Sequence, residues 1–252
     1  MNLLFPKVSI IIPCYNAERW IARCVSSALG QNYPNIEVIY IDNESTDESM
    51  QIVKDKFGEE KNLIISSAEN IYPDCWDEAR EKGFQLSDGE YLLTIGADDY
   101  LDPLFISNCM QYIATAPASV LAFQSAIRGV NNDSGIEVGD VGHVYKTLTE
   151  FKQICMIQCP VNTPTVIFNR RLYEDGLLKT DPESYSGAAD YDLYCKLADN
   201  NVFIYPAPMW LGYYYRWHED QATWNMQKKE TNYDKLIQDF WREKWFPSKD
   251  ES

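Results

Sequence analysis

Short apolar runs alternate with amphipathic segments along the first hundred residues, and this alternation constrains the fold more than any other feature. Four runs have the length and continuous apolarity of buried parallel strands: 8–12 (VSIII), 36–42 (IEVIYID), 62–66 (NLIIS) and 90–96 (EYLLTIG). The segments between them, 17–29, 45–57 and 76–84, have the spacing or composition of helices. The sequence therefore predicts an α/β fold with a Rossmann-like, mostly parallel sheet flanked by helices, which binds ligands beyond the carboxyl ends of its strands.

Local signals add detail to this outline. Ser45, followed three residues later by Glu48, predicts a capping box at the start of the second helix. In the less regular second half, segments 104–114 and 191–198 predict helices, and segments 119–127 and 164–169 predict strands. Segment 129–142 is rich in Gly, Asn and Asp and predicts a turn or an exposed hairpin.

The charge of the chain restricts its partners. Its 252 residues include 38 Asp and Glu against 22 Lys and Arg, which gives a formal net charge of −16. Such a surface repels polyanions, so we expect no nucleic acid partner. A nucleoside diphosphate would also be repelled unless a cation or local donors reversed the field. The sequence has no apolar run of the roughly 20 residues needed to cross a bilayer, and its seven cysteines lack metal-site spacing. We therefore predict a cytoplasmic protein, with the inner face of the membrane as an alternative location.

Carboxylates stand where the predicted strands end. Asp42 ends the second strand, Asp98 and Asp99 follow the fourth, and Asp190 lies in GAADYDLYCKL. Mg²⁺ and similar hard cations bind through one or two carboxylates, with phosphates and waters in the remaining positions. Asp98 and Asp99 are therefore candidate metal ligands, although a solvated turn before the next helix would also explain them. For Asp190, the local pattern alone favours a helix N-cap.

Four ordered blocks also resemble a known family. VSIIIPCYNAERWIARCVSSAL, IEVIYIDNESTDES, GEYLLTIGADDYLDP and GAADYDLYCKLA are similar to the successive signature blocks of the family-2 glycosyltransferases, from about residue 7 to about residue 218. The resemblance implies the GT-A fold and an inverting transfer of one sugar from a nucleotide-diphosphate sugar to a hydroxyl of a glycan, glycolipid or glycoprotein. It also implies a single domain with a nucleotide-sugar-binding half at 1–128 and an acceptor-binding half at 129–252.

The resemblance assigns roles to individual residues. The implied nucleotide-sugar-binding residues are Pro13, Tyr15, Glu18, Asp42, Asn43, Arg80 and Asp98. Asp98 and Asp99 correspond to the acidic motif that holds a divalent metal, Mn²⁺ or Mg²⁺, and His218 resembles a further ligand. Packing or hydrogen bonding is the alternative role for a lone histidine in an aromatic segment. Asp190 corresponds to the general base that takes the proton of the acceptor hydroxyl.

Two departures from the family pattern keep a second hypothesis open. Gly96 stands where the acidic motif usually has its first aspartate, and Ala189 replaces a common glutamate beside the base. A degenerate domain that binds a nucleotide or another protein without turnover would tolerate both changes. A nucleotidyltransferase is a third hypothesis, but the glycine-rich phosphate loop expected after its first strand is replaced by PCYNAERW.

The C-terminal segment 233–246 (YDKLIQDFWREKWF) predicts an amphipathic helix rich in aromatic residues. Its acidic and basic side chains balance, so it lacks the cationic face of a helix that binds anionic lipid. We expect it to pack on the body of the protein or on a second copy in a homodimer, with a peripheral membrane contact as the alternative.

Overall fold

The predicted parallel sheet is present in the computed structural model of the chain, which describes residues 5–72, 76–219, 221 and 230–247. Its strands are β1 (Val8–Cys14), β2 (Ile36–Asp42), β3 (Leu63–Ser67) and β4 (Tyr91–Thr94). They alternate with α1 (Ile21–Leu29), α2 (Ser49–Phe57) and α3 (Asp77–Leu86). The strands pair in parallel in the order β3-β2-β1-β4, which confirms the predicted fold class.

The second half extends the same sheet. Its strands are β5 (Tyr100–Leu101), β6 (Ala122–Asn131), β7 (Glu137–Val141), β8 (Ile167–Asn169) and β9 (Ile204–Trp217). β8 joins antiparallel to β4 and to β6, β9 runs parallel to β6, and β5 pairs antiparallel with β9. β6 and β7 form a hairpin across the predicted turn. The predicted division at residues 128 and 129 falls inside β6, so it remains a prediction about ligand binding within one continuous sheet.

Helices cover the second half of the sheet. They are α4 (Phe105–Thr115), α5 (Leu148–Ile154), α6 (Arg171–Glu174), α7 (Pro182–Tyr185), α8 (Ala189–Asp199) and α9 (Tyr233–Trp245). The predicted strand over 164–169 is shorter than expected, because a 3-10 turn, Thr163–Thr165, takes up its first part. This turn contacts the start of α8, because Thr163 hydrogen-bonds to Asp190.

The core lies on both faces of the sheet. Ile10 and Ile12 of β1 pack into one cluster with α1 and α4, whereas Ile11 packs into the other with α8 and α9. Neighbouring side chains of a strand point to opposite faces, so a strand buried on both sides must be apolar throughout. This requirement explains the unbroken apolar run that identified β1.

The predicted capping box at Ser45 is wrong. α2 begins at Ser49, and the residue before it, Glu48, makes no side-chain cap. The hydroxyl of Ser45 instead accepts a hydrogen bond from the Asn16 backbone N–H at 3.0 Å. Asp47 accepts the Ser49 N–H at 3.0 Å. The polar side chains of this loop therefore connect it to the loop after β1, a contact that a local pattern cannot show.

The C-terminal helix packs on the body of the protein. Ile237 and Trp241 are buried, and the Trp241 indole donates to Asp192 of α8 at 2.8 Å. Leu236 and Phe240 are about half exposed on its outer side, so a homodimer or membrane contact there remains a prediction. Within the described ranges, no helix is both long and apolar enough to span a bilayer.

Candidate active site

The loops after β1 and β2 form one wall of the candidate site. Asp42 ends β2 opposite Cys14 of β1. Its two carboxylate oxygens accept hydrogen bonds from the Tyr40 hydroxyl at 3.1 Å and from the Ser45 N–H at 3.0 Å. The Asn43 N–H donates to the Cys14 carbonyl at 2.7 Å. Each oxygen of Asp42 keeps a free lone pair, so this fixed carboxylate can still accept a hydrogen bond from a ligand.

Four further candidates occupy the same wall. Pro13 is buried inside β1, whereas Tyr15 is 47% exposed. Glu18 lies at the surface, where its carboxylate accepts the Glu48 N–H at 3.0 Å. Asn43 is buried, and its Oδ1 atom has no hydrogen-bond partner in the described part of the chain. Buried polar atoms are almost always paired, so Asn43 is the member of this wall most clearly in need of a ligand.

Asp98 and Asp99 are neighbours in sequence but differ in environment. Asp99 is 2% exposed, and both of its oxygens have donors: the Tyr213 hydroxyl at 2.7 Å and the Arg216 N–H at 2.8 Å. Burial raises the pKa of the Asp99 carboxyl well above its usual value, and the neighbouring charge of Asp98 adds to the increase. Asp99 thus ties the loop after β4 to β9.

Asp98 faces a histidine from the far end of the chain. Its side chain is 29% exposed, and its Oδ2 atom lies 2.9 Å from Nε2 of His218, which is 5% exposed. The His218 ring packs on Trp20 with ring centroids 4.1 Å apart. Arg216 donates from Nε to the Asp98 carbonyl at 2.7 Å. A carboxylate oxygen and an imidazole nitrogen therefore meet at a partly open position.

Gly96 makes room for this arrangement. A Cβ atom at residue 96 would lie 2.7 Å from Oδ1 of Asp98 and 2.9 Å from Oδ2 of Asp99. Both distances are shorter than van der Waals contact, so a side chain there would have to displace both carboxylates. The departure from the family pattern thus coincides with carboxylates that fold back over the backbone of residue 96.

Asp190 lies in the first turn of α8, and the N-cap of that helix is Ala188. Asp190 is a residue of intermediate exposure, and its carboxylate accepts the Thr163 hydroxyl at 2.5 Å and the Tyr191 N–H at 2.7 Å. Burial raises the pKa of Asp190 above its ordinary value, while these two hydrogen bonds and the charge of Arg80 act in the opposite direction. A helix N-terminus also stabilises the anion.

Arg80, from the first half of the chain, contacts residues of the second half that precede Asp190. It is buried in α3, and its Nη2 atom donates to Asp77 and Thr180, both at 2.9 Å. Its Nε atom is buried and has no hydrogen-bond partner among the described residues. The guanidinium therefore keeps one donor available, and it acts electrostatically on Asp190.

The topology brings these groups to one edge of the sheet. Cys14 pairs with Asp42 where β1 and β2 end, and the loop carrying Asp98 leaves β4 at the same edge. β8 runs antiparallel to β4, so the turn before β8, which holds Asp190 through Thr163, lies at this edge too. Because the edge is polar and lies beyond the carboxyl ends of parallel strands, it has the position of a ligand site in an α/β protein.

Two contact residues had no signal in the sequence. Thr163 and Tyr213 hold Asp190 and Asp99 across long stretches of chain. Trp20, which has the helical spacing of a core residue, is indeed buried but also carries His218 on its ring. Gln221 accepts the His218 N–H at 3.2 Å.

The sheet and the polar edge beyond its parallel strands define the class, an α/β protein with the GT-A fold. The crystal structure of Staphylococcus aureus TarS in complex with UDP-GlcNAc superposes with a TM-score of 0.68 at 24% identity, covering 89% of this chain and 62% of that one. The mannosyltransferase PcManGT from Pyrobaculum calidifontis, in complex with GDP-Man and Mn²⁺, gives 0.63 at 16% identity over 94% and 69% of the two chains.

Sequence comparison then identifies the family. The sequence model of the family described as "Glycosyl transferase family 2" matches residues 9–179. The chain therefore belongs to that family. It is 28% identical over 206 residues to the chondroitin synthase of Escherichia coli, which covers 79% of this chain and 27% of that protein. The chain thus spans about a quarter of the length of this relative. The similarity therefore supports membership of the family and does not assign the relative's activity to this chain.

Proposed function

We propose that this chain transfers a sugar from a nucleotide-diphosphate sugar to an acceptor hydroxyl, with inversion at the anomeric carbon. The observation that carries the proposal is the carboxylate of Asp190, which Thr163 holds at the edge where β4 ends. The family assignment, which rests on residues 9–179, supports glycosyl transfer as the reaction.

Asp190 is the general base of the proposed reaction. Its carboxylate takes the proton from the acceptor hydroxyl while that oxygen attacks the anomeric carbon from the face opposite the diphosphate. The bond from the anomeric carbon to the diphosphate oxygen breaks, and the nucleoside diphosphate leaves with the electron pair. One displacement inverts the configuration. The raised pKa of Asp190 suits a base, since proton transfer is most efficient when the pKa of the base approaches the working pH.

Asp98 and His218 are the residues proposed to hold a divalent metal. One oxygen and one nitrogen atom 2.9 Å apart suit Mn²⁺, which accepts imidazole more readily than Mg²⁺ does. Oδ1 of Asp98 has no hydrogen-bond partner among the described residues, and Asp98 is partly open, so phosphate oxygens and water can complete the ligand set. The ion would neutralise charge on the departing diphosphate.

Asp99 has a different proposed role from the one that the resemblance implied. Both of its oxygens already accept hydrogen bonds, and it is almost completely buried. We therefore assign it to positioning: it fixes the loop that carries Asp98 against the strand that carries His218.

The wall formed by the loops after β1 and β2 is the proposed nucleotide site. Asp42 would accept a hydrogen bond from the nucleobase. The unpartnered Asn43 oxygen would accept a hydrogen bond from a ribose hydroxyl. Pro13, Tyr15 and Glu18 would line the same pocket. Arg80 would lie between the nucleotide and the general base Asp190. It would supply its free Nε donor and its positive charge there. The UDP-GlcNAc complex of TarS makes a uridine diphosphate sugar the first donor to test, and a glycan is the proposed acceptor.

A transfer assay tests the proposal. Purified protein is incubated with UDP-GlcNAc and other nucleotide sugars, Mn²⁺ and candidate glycans, and released diphosphate and product are measured. Transfer is expected in the native protein and lost in Asp190→Asn and Asp98→Ala, while circular dichroism shows all three folded. Equal trace release from all three proteins, with nucleotide binding retained, would favour the degenerate binding domain that Gly96 and Ala189 also allow.

A further inference from the structure

The turn that precedes β8 delivers a single hydroxyl to the proposed base. Oγ1 of Thr163 donates to Oδ2 of Asp190 at 2.5 Å. Thr163 opens the 3-10 turn Thr163–Thr165, where Pro164 occupies one of its first positions. The two residues are 27 positions apart, so the bond is a tertiary contact and not part of the capping of α8.

The turn itself is rigidly attached to the sheet. The buried Asn162 donates from its backbone N–H to Gln124 at 2.9 Å and from its side chain to the Ser125 carbonyl at 3.0 Å. On the other side of Thr163, the fully buried Thr165 donates to the same Ser125 carbonyl at 3.0 Å. Thr163 thus stands between two residues anchored on β6. A functional side chain held this way keeps its direction more precisely than one on a free loop.

The surroundings of Asp190 show what the hydroxyl contributes. Four other ionisable groups act on the carboxylate or are acted on by it: Arg80 and Asp77 from α3, Cys159 from the segment before the turn, and Tyr194 from α8. Burial and the charge of Asp77 oppose the ionised form, whereas Arg80 and the hydroxyl of Thr163 favour it. Arg80 is shared with Asp77, whereas the hydroxyl of Thr163 donates directly to Asp190 and also has a hydrogen-bonding contact with the side chain of Tyr194.

We propose that Thr163 is a positioning residue that holds Asp190 in the orientation and ionisation state of a general base. This inference rests on the proposed function, because it requires that Asp190 accept the proton of the acceptor hydroxyl. With Oδ2 anchored by Thr163 and Oδ1 by the Tyr191 N–H, the carboxylate plane is fixed, and the remaining lone pairs are free for the incoming hydroxyl. Proton balance is unchanged: the proton moves from the acceptor to Asp190.

The test compares Thr163→Val, which keeps the shape and removes the hydroxyl, with Thr163→Ser, which keeps the hydroxyl. Steady-state rates are measured across pH with saturating Mn²⁺ and donor. T163V is expected to lose kcat by roughly 10- to 100-fold, the effect of a hydrogen bond to a charged group. The acid limb of its pH–rate profile moves to higher pH, because the variant lacks the donor that favours the ionised carboxylate of Asp190. The KM for the donor stays unchanged, and T163S retains most of the activity and the native acid limb.

The outcomes separate this inference from the proposed function. Absence of transfer by the native protein, or full activity in Asp190→Asn, would overturn the proposed function itself. Transfer that depends on Asp190 but is unchanged in rate and acid limb by T163V would overturn only the role of Thr163. Equal losses in T163V and T163S, with native pH profiles, would show a purely structural residue and would also overturn it. If T163V does not fold, Thr163→Ala is measured under the same criteria.

Discussion

Oδ2 of Asp98 lies 2.9 Å from Nε2 of His218, although the two residues are 120 positions apart. β9 accounts for the approach, since it pairs with β5 directly after the Asp98–Asp99 loop and ends one residue before His218. Trp20 closes the other side of the imidazole. The chain thus brings one carboxylate oxygen and one imidazole nitrogen together at the proposed metal site.

His218→Ala should weaken metal-dependent transfer. The Mn²⁺ concentration for half-maximal activity is expected to rise at least as much as the roughly 10- to 100-fold caused by losing a partner of a metal ligand. His143→Gln, at the other histidine of the chain, is the matched control and should leave the metal titration unchanged. Superimposable titrations for H218A and the native protein would remove His218 from the site.

Tyr213→Phe should destabilise the loop after β4. The Tyr213 hydroxyl accepts the Gly96 N–H at 3.2 Å and donates to Asp99 at 2.7 Å, so its loss leaves buried groups unpaired. The free energy of unfolding in urea should fall by about 1–3 kcal/mol. Tyr112→Phe is the control, because the Tyr112 hydroxyl has no hydrogen bond in the described ranges. Equal changes in the two variants would contradict the assigned role of Asp99.

Asp190→Asn should change how stability depends on pH. The pKa of Asp190 is raised in the folded protein, chiefly by burial, so the native state holds this proton at pH values where the unfolded chain has released it. The stability from the protonated form is fully present below the unfolded pKa of about 3.9, and it is lost as pH rises through the folded pKa. The free energy of unfolding of D190N, minus that of the native protein, should therefore increase with pH. A difference that stays constant between pH 4 and pH 7 would contradict the raised pKa.

Gly96→Ala and Gly96→Asp should both reduce activity. A Cβ atom at residue 96 would approach the carboxylate oxygens of Asp98 and Asp99 to within 3 Å, so Asp98 must move relative to His218. Overpacking of this kind typically costs about 1–3 kcal/mol of stability. The family pattern alone gives the opposite expectation, that aspartate restores a missing ligand. A G96D variant with faster turnover and an unchanged melting temperature would support the family pattern against this geometry.

The features of the fold and of the candidate site that could be predicted from the sequence are those that depend on residues close together in the chain. The apolar run of β1 requires burial on both faces, and the alternation of strands with helices predicted that β1 to β4 form a parallel sheet but not their order in it. Asp42 and Asp98 could be placed at the carboxyl edge of the sheet, because both follow predicted strands. The burial of Asp99 could not, because it depends on Tyr213, a residue 114 positions away. Likewise the side chain of Ser45 fits a cap by spacing but bonds to Asn16 in the neighbouring loop.

The most direct test of the central claim is thermal unfolding of the native protein with uridine, guanosine and thymidine diphosphates, with Mn²⁺ or with a chelator. A ligand that binds only the folded state at 100 times its Kd stabilises it by about 2.7 kcal/mol. The account predicts that at least one diphosphate raises the melting temperature only when Mn²⁺ is present. An equal increase with the chelator, or no increase with any of the three, would contradict it.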